Sequence, residues 1–339
     1  MSWKNWKNWK NTILIRSIVV VIIIAFLFIP IFNILNILNN KEPKKKLENF
    51  PEFLPPWQAP EIIYRPNSNI VFVYVYTPNI QEYAQHSVRN IIHYTNQHEY
   101  GFVVFGKPFL SSLPGCWNKV AAILQLLYSS YSFEYLVWMD ADAVITNPHI
   151  RIESIMDKNI PINLKNSTNL TNLTNLTNLW ICHDINEGHC INSGVMIMRK
   201  TEWTKSLFGK VWTSPEPKGH NDQNILLFEI LKEIKNLNYP SFQSLRIDRF
   251  VCDSVHHPHV QILPETTFNS NIYHYHPRQF ILHLMGTNMQ TRVNIMRQIN
   301  TMLTIDDYPM DECGHLLTWK DSPISSLQNE DITNICLSY

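Results

Sequence analysis

The stretch EYLVWMDADAVITNP, residues 134–148, constrains the fold most, because an apolar run there ends in two aspartates. Tyr135–Met139 has the composition of a buried strand, and Asp140 and Asp142 follow it one residue apart. Two carboxylates at such a position repel each other and lose hydration unless a cation or a proton lies between them. In an extended segment residues i and i+2 point to the same side, so both carboxylates can bind one divalent cation. Oxygen ligands select Mg²⁺ or Mn²⁺, and an added histidine favours Mn²⁺.

The segments that precede this strand alternate between strand and helix patterns. Residues 70–76 and 100–106 are short β-branched and aromatic runs, whereas residues 80–98 and 116–131 carry apolar side chains at helical spacing. The order β-α-β-α-β with spacers of helical length predicts a mostly parallel sheet in an α/β fold. Ligands bind such sheets at the carboxyl ends of the strands, which is where the two aspartates lie.

Three later segments extend this prediction. The sequence INSGVMIMRKTEW predicts a strand after a turn at residues 192–194, and FILHLMG predicts a late strand at 280–286. The sequence NDQNILLFEILKEI predicts a helix, with Asn221 or His220 as its N-cap. We see no second apolar region large enough for a further domain.

The N-terminal region predicts a membrane anchor. Residues 13–38 are strongly apolar, and they are long enough to cross a hydrocarbon core of about 27–30 Å. Residues 1–12 then form a cytoplasmic tail, residues 39–68 a stem rich in proline and charge, and residues 69–339 the catalytic body. The alternatives are a buried helix and a cleaved signal peptide, but no A-x-A-like cleavage site follows the apolar run. Lysines and arginines flank both ends equally, so the positive-inside rule does not decide the orientation.

Residues 163–179 form a low-complexity insertion, which predicts a surface loop. It holds four Asn-x-Ser/Thr sequences, at Asn166, Asn169, Asn172 and Asn175. In a luminal compartment these asparagines are acceptors for N-glycans. All six cysteines follow the predicted anchor, and we expect Cys182 and Cys190, which flank a short turn, to form a disulfide.

The overall charge excludes one class of partner. Lys plus Arg and Asp plus Glu number 28 each, so the formal net charge is zero. No global field therefore attracts nucleic acid, and we expect no nucleic-acid binding.

Five segments in chain order resemble the family 34 glycosyltransferases, which include fungal α-galactosyl- and α-mannosyltransferases and plant xyloglucan xylosyltransferases. They are GCWNKVAAILQLL, EYLVWMDADAVITNP, INSGVMIMRKTEW, HNDQNILL and FILHLMG. The resemblance covers residues 70–297 and implies a single GT-A domain behind a transmembrane helix. It also implies a type II Golgi enzyme with a luminal catalytic domain, a bound Mn²⁺ or Mg²⁺ and a retaining outcome.

The resemblance assigns roles residue by residue. Asp140, Asp142 and His283 match the metal ligands. Gln223 and Asp222 match the catalytic block beneath the anomeric carbon, where a glutamine would stabilise an oxocarbenium-like centre during front-side transfer. The residues that match the nucleotide-sugar site are Lys119, with a contact to phosphate, and Asp140, Ala141, Asn192, Ser193, Gly194 and Gly286. The implied partners are a donor such as UDP-galactose, UDP-xylose or GDP-mannose, a glycan acceptor, the membrane, and related transferases in a homo- or hetero-oligomer.

The sequence departs from the family pattern at two places, and two other interpretations stay open. Asn221 replaces the first acidic residue of the D-D-Q block, and TNMQTR replaces the C-K-x-C segment, so Arg292 or Arg278 would have to supply the missing cation. One alternative is a non-catalytic paralogue that binds glycan or nucleotide sugar. The other is a haloacid-dehalogenase-type phosphatase with Asp140 as nucleophile and Asp142 as general acid, although that motif belongs on the first strand of its domain.

Overall fold

The structure is a computed structural model that describes residues 54–111, 114–158, 177–185, 190–214, 221–234 and 257–303. The predicted tail at 1–12, the anchor at 13–38 and the four predicted glycan acceptors lie outside these residues. Within the described ranges, no helix combines the length and the apolar character that a membrane crossing requires.

The described residues form ten strands and six α-helices. The strands are β1 (Ile62–Tyr64), β2 (Ile70–Val75), β3 (Gly101–Phe105), β4 (Tyr135–Met139), β5 (Ala143–Ile145), β6 (Leu179–His183), β7 (Ile191–Arg199), β8 (Val260–Leu263), β9 (Ser270–Asn271) and β10 (Ile281–His283). The helices are α1 (Gln81–His98), α2 (Trp117–Leu127), α3 (Ile152–Lys158), α4 (Glu202–Thr213), α5 (Asp222–Lys232) and α6 (Met289–Leu303).

The central sheet has seven strands in the order β1-β3-β2-β4-β7-β6-β8. The pairs β2–β3, β2–β4 and β6–β8 are parallel, whereas β1–β3, β4–β7 and β6–β7 are antiparallel. The expected mostly parallel sheet is therefore wrong, because the sheet is mixed. Helical crossovers join β2, β3 and β4, whereas the connection of seven residues between β6 and β7 is too short for a parallel pair.

Both faces of the central sheet are covered, which explains why its strands are continuous apolar runs. All six residues of β2 are buried, and alternate side chains enter different cores. Val71 and Val73 pack in the core formed with α2, α4 and α5, whereas Phe72 and Tyr74 pack in the core that contains α1.

A smaller sheet of three strands, in the order β5-β10-β9, joins the late strand to the aspartate motif. The strand β10 runs antiparallel to β5, and the register pairs Leu282 with Val144 and His283 with Ala143. His283 therefore lies beside the residue that directly follows Asp142 along the chain. The pairing of β5 with β10 thus brings together Asp142 and His283, which are about 140 residues apart in the sequence.

The folded body extends to the N-terminal side of residue 69, where it was predicted to begin. Leu54 is buried in the main core, and β1 pairs with β3 through a register that aligns Ile62 with Val104. Proline-rich composition indicated a linker here, but proline is compatible with the irregular segments that flank a short edge strand.

Two local predictions are wrong and one is confirmed. The predicted disulfide does not form, because Cys182 is a free, buried cysteine in β6, whereas Cys190 is disulfide-bonded. Burial raises the pKa of the Cys182 thiol, as expected for an inert core cysteine. Residues 192–194 lie inside β7 and not in a turn. The predicted N-cap is confirmed, because the Asn221 side chain accepts a hydrogen bond from the Asn224 amide at 2.9 Å.

Candidate active site

A cleft of about 450 Å³ opens at the carboxyl ends of β2 and β4. The helices α1, α2 and α5 begin at this cleft, and the first residues of β7 reach it because β7 runs antiparallel to β4. All the residues that the sequence predicted for the site line it: Lys119, Asp140, Ala141, Asp142, Asn192, Ser193, Gly194, Asp222, Gln223, His283 and Gly286.

Asp140, Asp142 and His283 form a cluster that can hold a metal ion. One ligand atom from each lies within 4.8 Å of the others. His283 Nε2 is 3.2 Å from an Asp142 carboxylate oxygen and 3.9 Å from one of Asp140. The two aspartates do not lie in an extended segment as expected. They bracket a tight turn between β4 and β5, in which the Ala143 amide donates to the Asp140 carbonyl at 3.0 Å, and the turn directs both side chains to one point.

A chain of hydrogen bonds sets the orientation of the His283 ring. The Gly194 amide donates to Asn192 Oδ1 at 2.9 Å, which identifies that atom as the acceptor. Asn269 Nδ2 donates to the same oxygen at 2.8 Å, so Asn269 Oδ1 is the atom that lies 2.9 Å from His283 Nδ1. An amide oxygen only accepts, so Nδ1 carries a proton and the Nε2 lone pair of the neutral ring faces the aspartates. This is the tautomer that binds a metal.

Gly194 provides the space for that ring. A Cβ atom at this position would lie 2.1 Å from His283 Cε1 and 2.5 Å from His283 Nδ1. Only glycine therefore permits His283 to reach the aspartates. Gly286 has a different reason to be glycine, because its φ of +74° lies in the left-handed region and no atom lies near a Cβ there.

Lys119 is a buried cation that joins two carboxylates. Its Nζ lies 3.1 Å from Asp140 Oδ1, 3.2 Å from Asp222 Oδ2, and 3.0 Å from both the carbonyl and the hydroxyl oxygen of Ser193. Burial opposes the charge, but the two carboxylates and their hydrogen bonds raise the pKa of Lys119 above its usual value. An ammonium group has three protons, and these protein oxygens use all of them. The predicted contact of Lys119 with a phosphate stays a prediction.

The carboxylate of Asp140 is held from several sides. Trp138 Nε1 donates to Asp140 Oδ1 at 2.7 Å, on the same oxygen that faces Lys119. The backbone amide of Asp140 donates to the Gly194 carbonyl at 2.7 Å. The other carboxylate oxygen, Oδ2, is the one nearest to His283 Nε2. One oxygen is thus fixed by the protein and the other points into the cluster.

The protonation equilibria of the cluster are coupled. Burial raises the pKa of Asp140, although Lys119 and His283 oppose it. Burial also raises the pKa of Asp142, but the nearby His283 and Arg292 have the larger effect and lower the pKa of Asp142 to about 2. Burial lowers the pKa of His283, whereas Asp142 and Asp140 raise it overall. The two carboxylates favour positive charge in the cluster. A divalent cation would balance their charge more fully than a single proton on His283 does.

Of the two arginines considered as replacements for the missing lysine, only Arg292 lies at the cluster. Its guanidinium is 2.9 Å from Asp142 Oδ2 and lies 5.2 Å from the centre of the Tyr83 ring. Arg278 is exposed, and its backbone carbonyl accepts a hydrogen bond from Asn147 at 3.2 Å. Arg292 belongs to no recognisable sequence motif, so the sequence alone did not distinguish it from Arg278.

Gln223 also lines the cleft and is held at both ends of its amide. Its Oε1 accepts from the Ser193 backbone amide at 2.9 Å, and its Nε2 donates to Asp184 Oδ2 at 3.1 Å. Asp184 Oδ2 also accepts from Asn192 Nδ2 at 3.0 Å. Asp222 does not project beside Gln223 but is buried, with Ser193 Oγ donating to its carboxylate at 3.0 Å.

Sequence reasoning missed several residues that shape this site. They are Tyr83, Trp138, Asp184 and Asn269. Trp138 was inside the quoted motif and was counted only as an apolar strand residue, although an indole N–H seeks an acceptor when buried. Asp184 directly follows β6, at a strand end like that of Asp140, and this was the available signal. Asn269 and Tyr83 carry no comparable pattern.

Comparison with solved structures defines the class of fold. The crystal structure of a glycosyltransferase involved in the glycosylation of the major capsid of PBCV-1 matches with a TM-score of 0.50. The identity is 16%, and the match covers 67% of this chain and 98% of the other. The fold is therefore that of the GT-A glycosyltransferases.

The chain belongs to the galactosyl transferase GMA12/MNN10 family, whose model matches residues 66–294. This confirms the resemblance to family 34 glycosyltransferases and replaces the phosphatase interpretation of the aspartates. The probable alpha-1,2-galactosyltransferase gmh2 of Schizosaccharomyces pombe is 26% identical over 177 residues, which cover 44% of this chain and 49% of that protein. Xyloglucan 6-xylosyltransferase 1 of Arabidopsis thaliana is 27% identical over 141 residues, which cover 40% and 27%. The chain thus matches less than half the length of these two relatives.

The substitution Gly194→Ala tests the metal cluster without removing any proposed ligand. The added methyl group overlaps the His283 ring, so we expect the affinity for Mn²⁺ to fall about tenfold or more, which corresponds to about 1.4 kcal/mol. Titration of Mn²⁺ followed by electron paramagnetic resonance measures this. Gly115→Ala is the matched control, because it also lies at the cleft and a Cβ there meets nothing within 4 Å. Equal Mn²⁺ affinity in the wild type and Gly194→Ala would contradict the cluster.

Proposed function

We propose that this protein is a metal-dependent, retaining glycosyltransferase of the secretory pathway. It moves a hexose or pentose from a nucleotide-diphosphate sugar to a glycan acceptor. The observation that carries the proposal is the convergence of Asp140, Asp142 and His283 in the cleft that Gln223 also lines, in a chain of this family.

The three proposed metal ligands fit a hard or borderline divalent cation. Two carboxylates and one imidazole suit Mn²⁺, and Mg²⁺ is the alternative. Asp140, Asp142 and His283 would hold the ion, which when bound supplies positive charge to the diphosphate leaving group. The protein contributes ligands whose orientation is already fixed, His283 by Asn269 and Asp140 by Lys119, so little reorganisation is needed when the donor binds.

Other groups at the cleft also favour an anionic diphosphate. Three helices begin here, and a helix N-terminus carries a partial positive charge. Arg292 has five N–H donors, of which one group contacts Asp142 and another the Leu284 carbonyl. Its remaining donors take the role of the lysine that the family motif places after the late glycine.

Gln223 supports retention of configuration. Its amide is anchored by Ser193 and Asp184, so it presents a fixed, neutral dipole to the sugar. A neutral amide is a poor nucleophile, and we assign it to stabilisation of an oxocarbenium-like centre while the acceptor attacks from the side of the leaving group. An α-linked donor then gives an α-linked product.

The relatives' names guide the choice of donor. One relative is named as a galactosyltransferase and the other as a xylosyltransferase, so UDP-galactose and UDP-xylose are the first donors to test, with GDP-mannose next. Asn221, which replaces the first acidic residue of the family's D-D-Q block, is the N-cap of α5, and the Gln223 amide keeps its hydrogen bond to Ser193. It therefore gives no structural support to a paralogue without turnover.

Chelation and one substitution test the metal. We expect EDTA to abolish sugar transfer and Mn²⁺ to restore it, and Asp142→Asn to lower the rate about 10²-fold or more. Product formation from radiolabelled donor measures both. Glu202→Gln, which removes one exposed carboxylate on α4, should leave the rate unchanged. Full activity in EDTA would contradict the proposed mechanism. Tight binding of the nucleotide sugar with no turnover would favour the non-catalytic alternative.

Gln223→Ala tests the proposed catalytic role. We expect kcat to fall strongly while the affinity for UDP changes little, because the interaction is made mainly in the transition state. Steady-state kinetics and calorimetric titration of UDP separate the two effects, and Gln85→Ala on the exposed side of α1 is the matched control. Proton NMR of the product gives the linkage, and a β-linked product from an α-linked donor would refute retention.

The membrane topology is proposed from sequence alone. An anchor at 13–38 in type II orientation places the catalytic body in the Golgi lumen, where Asn166, Asn169, Asn172 and Asn175 meet the glycosylation machinery. We expect full-length protein expressed in cells to shift in mobility after endoglycosidase treatment, and the shift to vanish when residues 166–176 are deleted. Digestion of the body by protease added to intact microsomes would show the opposite orientation.

A further inference from the structure

A second cavity, of about 240 Å³, lies between α1 and α6. The helix α1 contributes His86, Arg89 and His93, which follow one another at helical spacing on one face. The helix α6 contributes Arg297 and Asn300, one turn apart on the facing side. We call this cavity the α1–α6 pocket.

The charge of the α1–α6 pocket is one-sided. Two guanidinium groups and two imidazoles line it, and no aspartate or glutamate does so among the described residues. Neither Arg89 nor Arg297 forms an ion pair within the part of the chain that the structure describes. Two like charges on facing helices repel each other, so packing alone does not favour this arrangement.

A buried side chain without a partner lies in the α1–α6 pocket. His86 is only 8% exposed, and within the described ranges no hydrogen-bond partner reaches its ring. Burial lowers the pKa of His86, with Arg297 and Arg89 acting in the same direction and Glu82 against them. An anion in the pocket would give the ring a partner and offset this repulsion.

The walls of the pocket are fixed by the fold. The Asn90 side chain exchanges two hydrogen bonds with the backbone of Ile145 in β5, at 2.7 and 2.9 Å. Asn300 Nδ2 donates to the His86 carbonyl at 2.7 Å, which ties α6 to α1. The cationic groups are therefore presented by two helices whose relative position is set by buried polar contacts.

We propose that the α1–α6 pocket is a binding site for a phosphate group. Guanidinium groups bind phosphate oxygens through paired, charge-assisted hydrogen bonds, and a neutral or charged imidazole adds a further donor. Tyr83, which lines the catalytic cleft, precedes His86 by three residues, a rise of about 4.5 Å along α1. A phosphate on a bound glycan or on a lipid headgroup would thus be held next to the site of transfer. The proposal does not depend on the transfer reaction.

Calorimetric titration of the full chain tests this site. The probes are inorganic phosphate, glucose 6-phosphate and glycerol 3-phosphate, at constant ionic strength and in EDTA, so that no divalent metal binds at the catalytic cleft. We expect saturable binding that falls about tenfold or more in Arg89→Ala and in Arg297→Ala. Tighter binding of glucose 6-phosphate indicates a glycan source, and tighter binding of glycerol 3-phosphate indicates a lipid headgroup.

Two further variants make the result specific. Arg151→Ala removes the same charge from an exposed arginine outside the α1–α6 pocket and should bind like the wild type. His86→Leu should lose phosphate affinity with an unchanged urea midpoint, because the ring has no hydrogen bond to lose within the described residues. Absence of saturable binding for all three probes would overturn the proposal. Equal affinity in the wild type and in both arginine variants, or full affinity in His86→Leu, would overturn it as well.

Discussion

The buried ammonium group of Lys119 is the interaction on which the site depends. It connects α2 with the end of β4 through Asp140, with β7 through Ser193, and with α5 through Asp222. Burial of a charge costs several kcal/mol unless its partners are close and well oriented. Its partners are two carboxylates and the carbonyl and hydroxyl oxygens of Ser193, so loss of the lysine would remove the cation that both carboxylates share. The geometry around the cleft therefore depends on one buried cation.

A second network meets the first at the start of β7. Ser193 contacts Lys119 and Asp222 and fixes Gln223 through its backbone amide. On either side of it, Asn192 and Gly194 set the orientation of His283 through Asn269 and through the space left by the missing side chain. Three consecutive strand residues thus position the metal cluster and the proposed catalytic amide together. This explains why two polar residues and a glycine precede the apolar run at 195–198 in the same strand.

The features that could be predicted from the sequence are those that depend on local patterns of residues. The strand β4 has the predicted limits, Tyr135–Met139, because a buried run bounded by polar residues is unambiguous. His283 came from the family resemblance, and only the pairing of β10 with β5 brings it to the aspartates. Residues 192–194 were interpreted as a turn because Asn, Ser and Gly favour turns. Asn192 instead pairs with Cys182 of β6, and the Asp140 amide donates to the Gly194 carbonyl, so this part of β7 forms a bulged strand. Strand direction and the role of Lys119 depend on contacts distant in sequence, which no local pattern contains.

The central claim is that two aspartates and one histidine, held by these networks, bind the cation that carries the donor diphosphate. The most direct measurement is anomalous X-ray scattering at the manganese edge, on crystals of the protein soaked with Mn²⁺ and UDP. We expect one strong peak within direct coordination distance of Asp140, Asp142 and His283, with the diphosphate of UDP bound beside it. A peak at another place, or UDP bound in the cleft with no peak beside these residues, would contradict it.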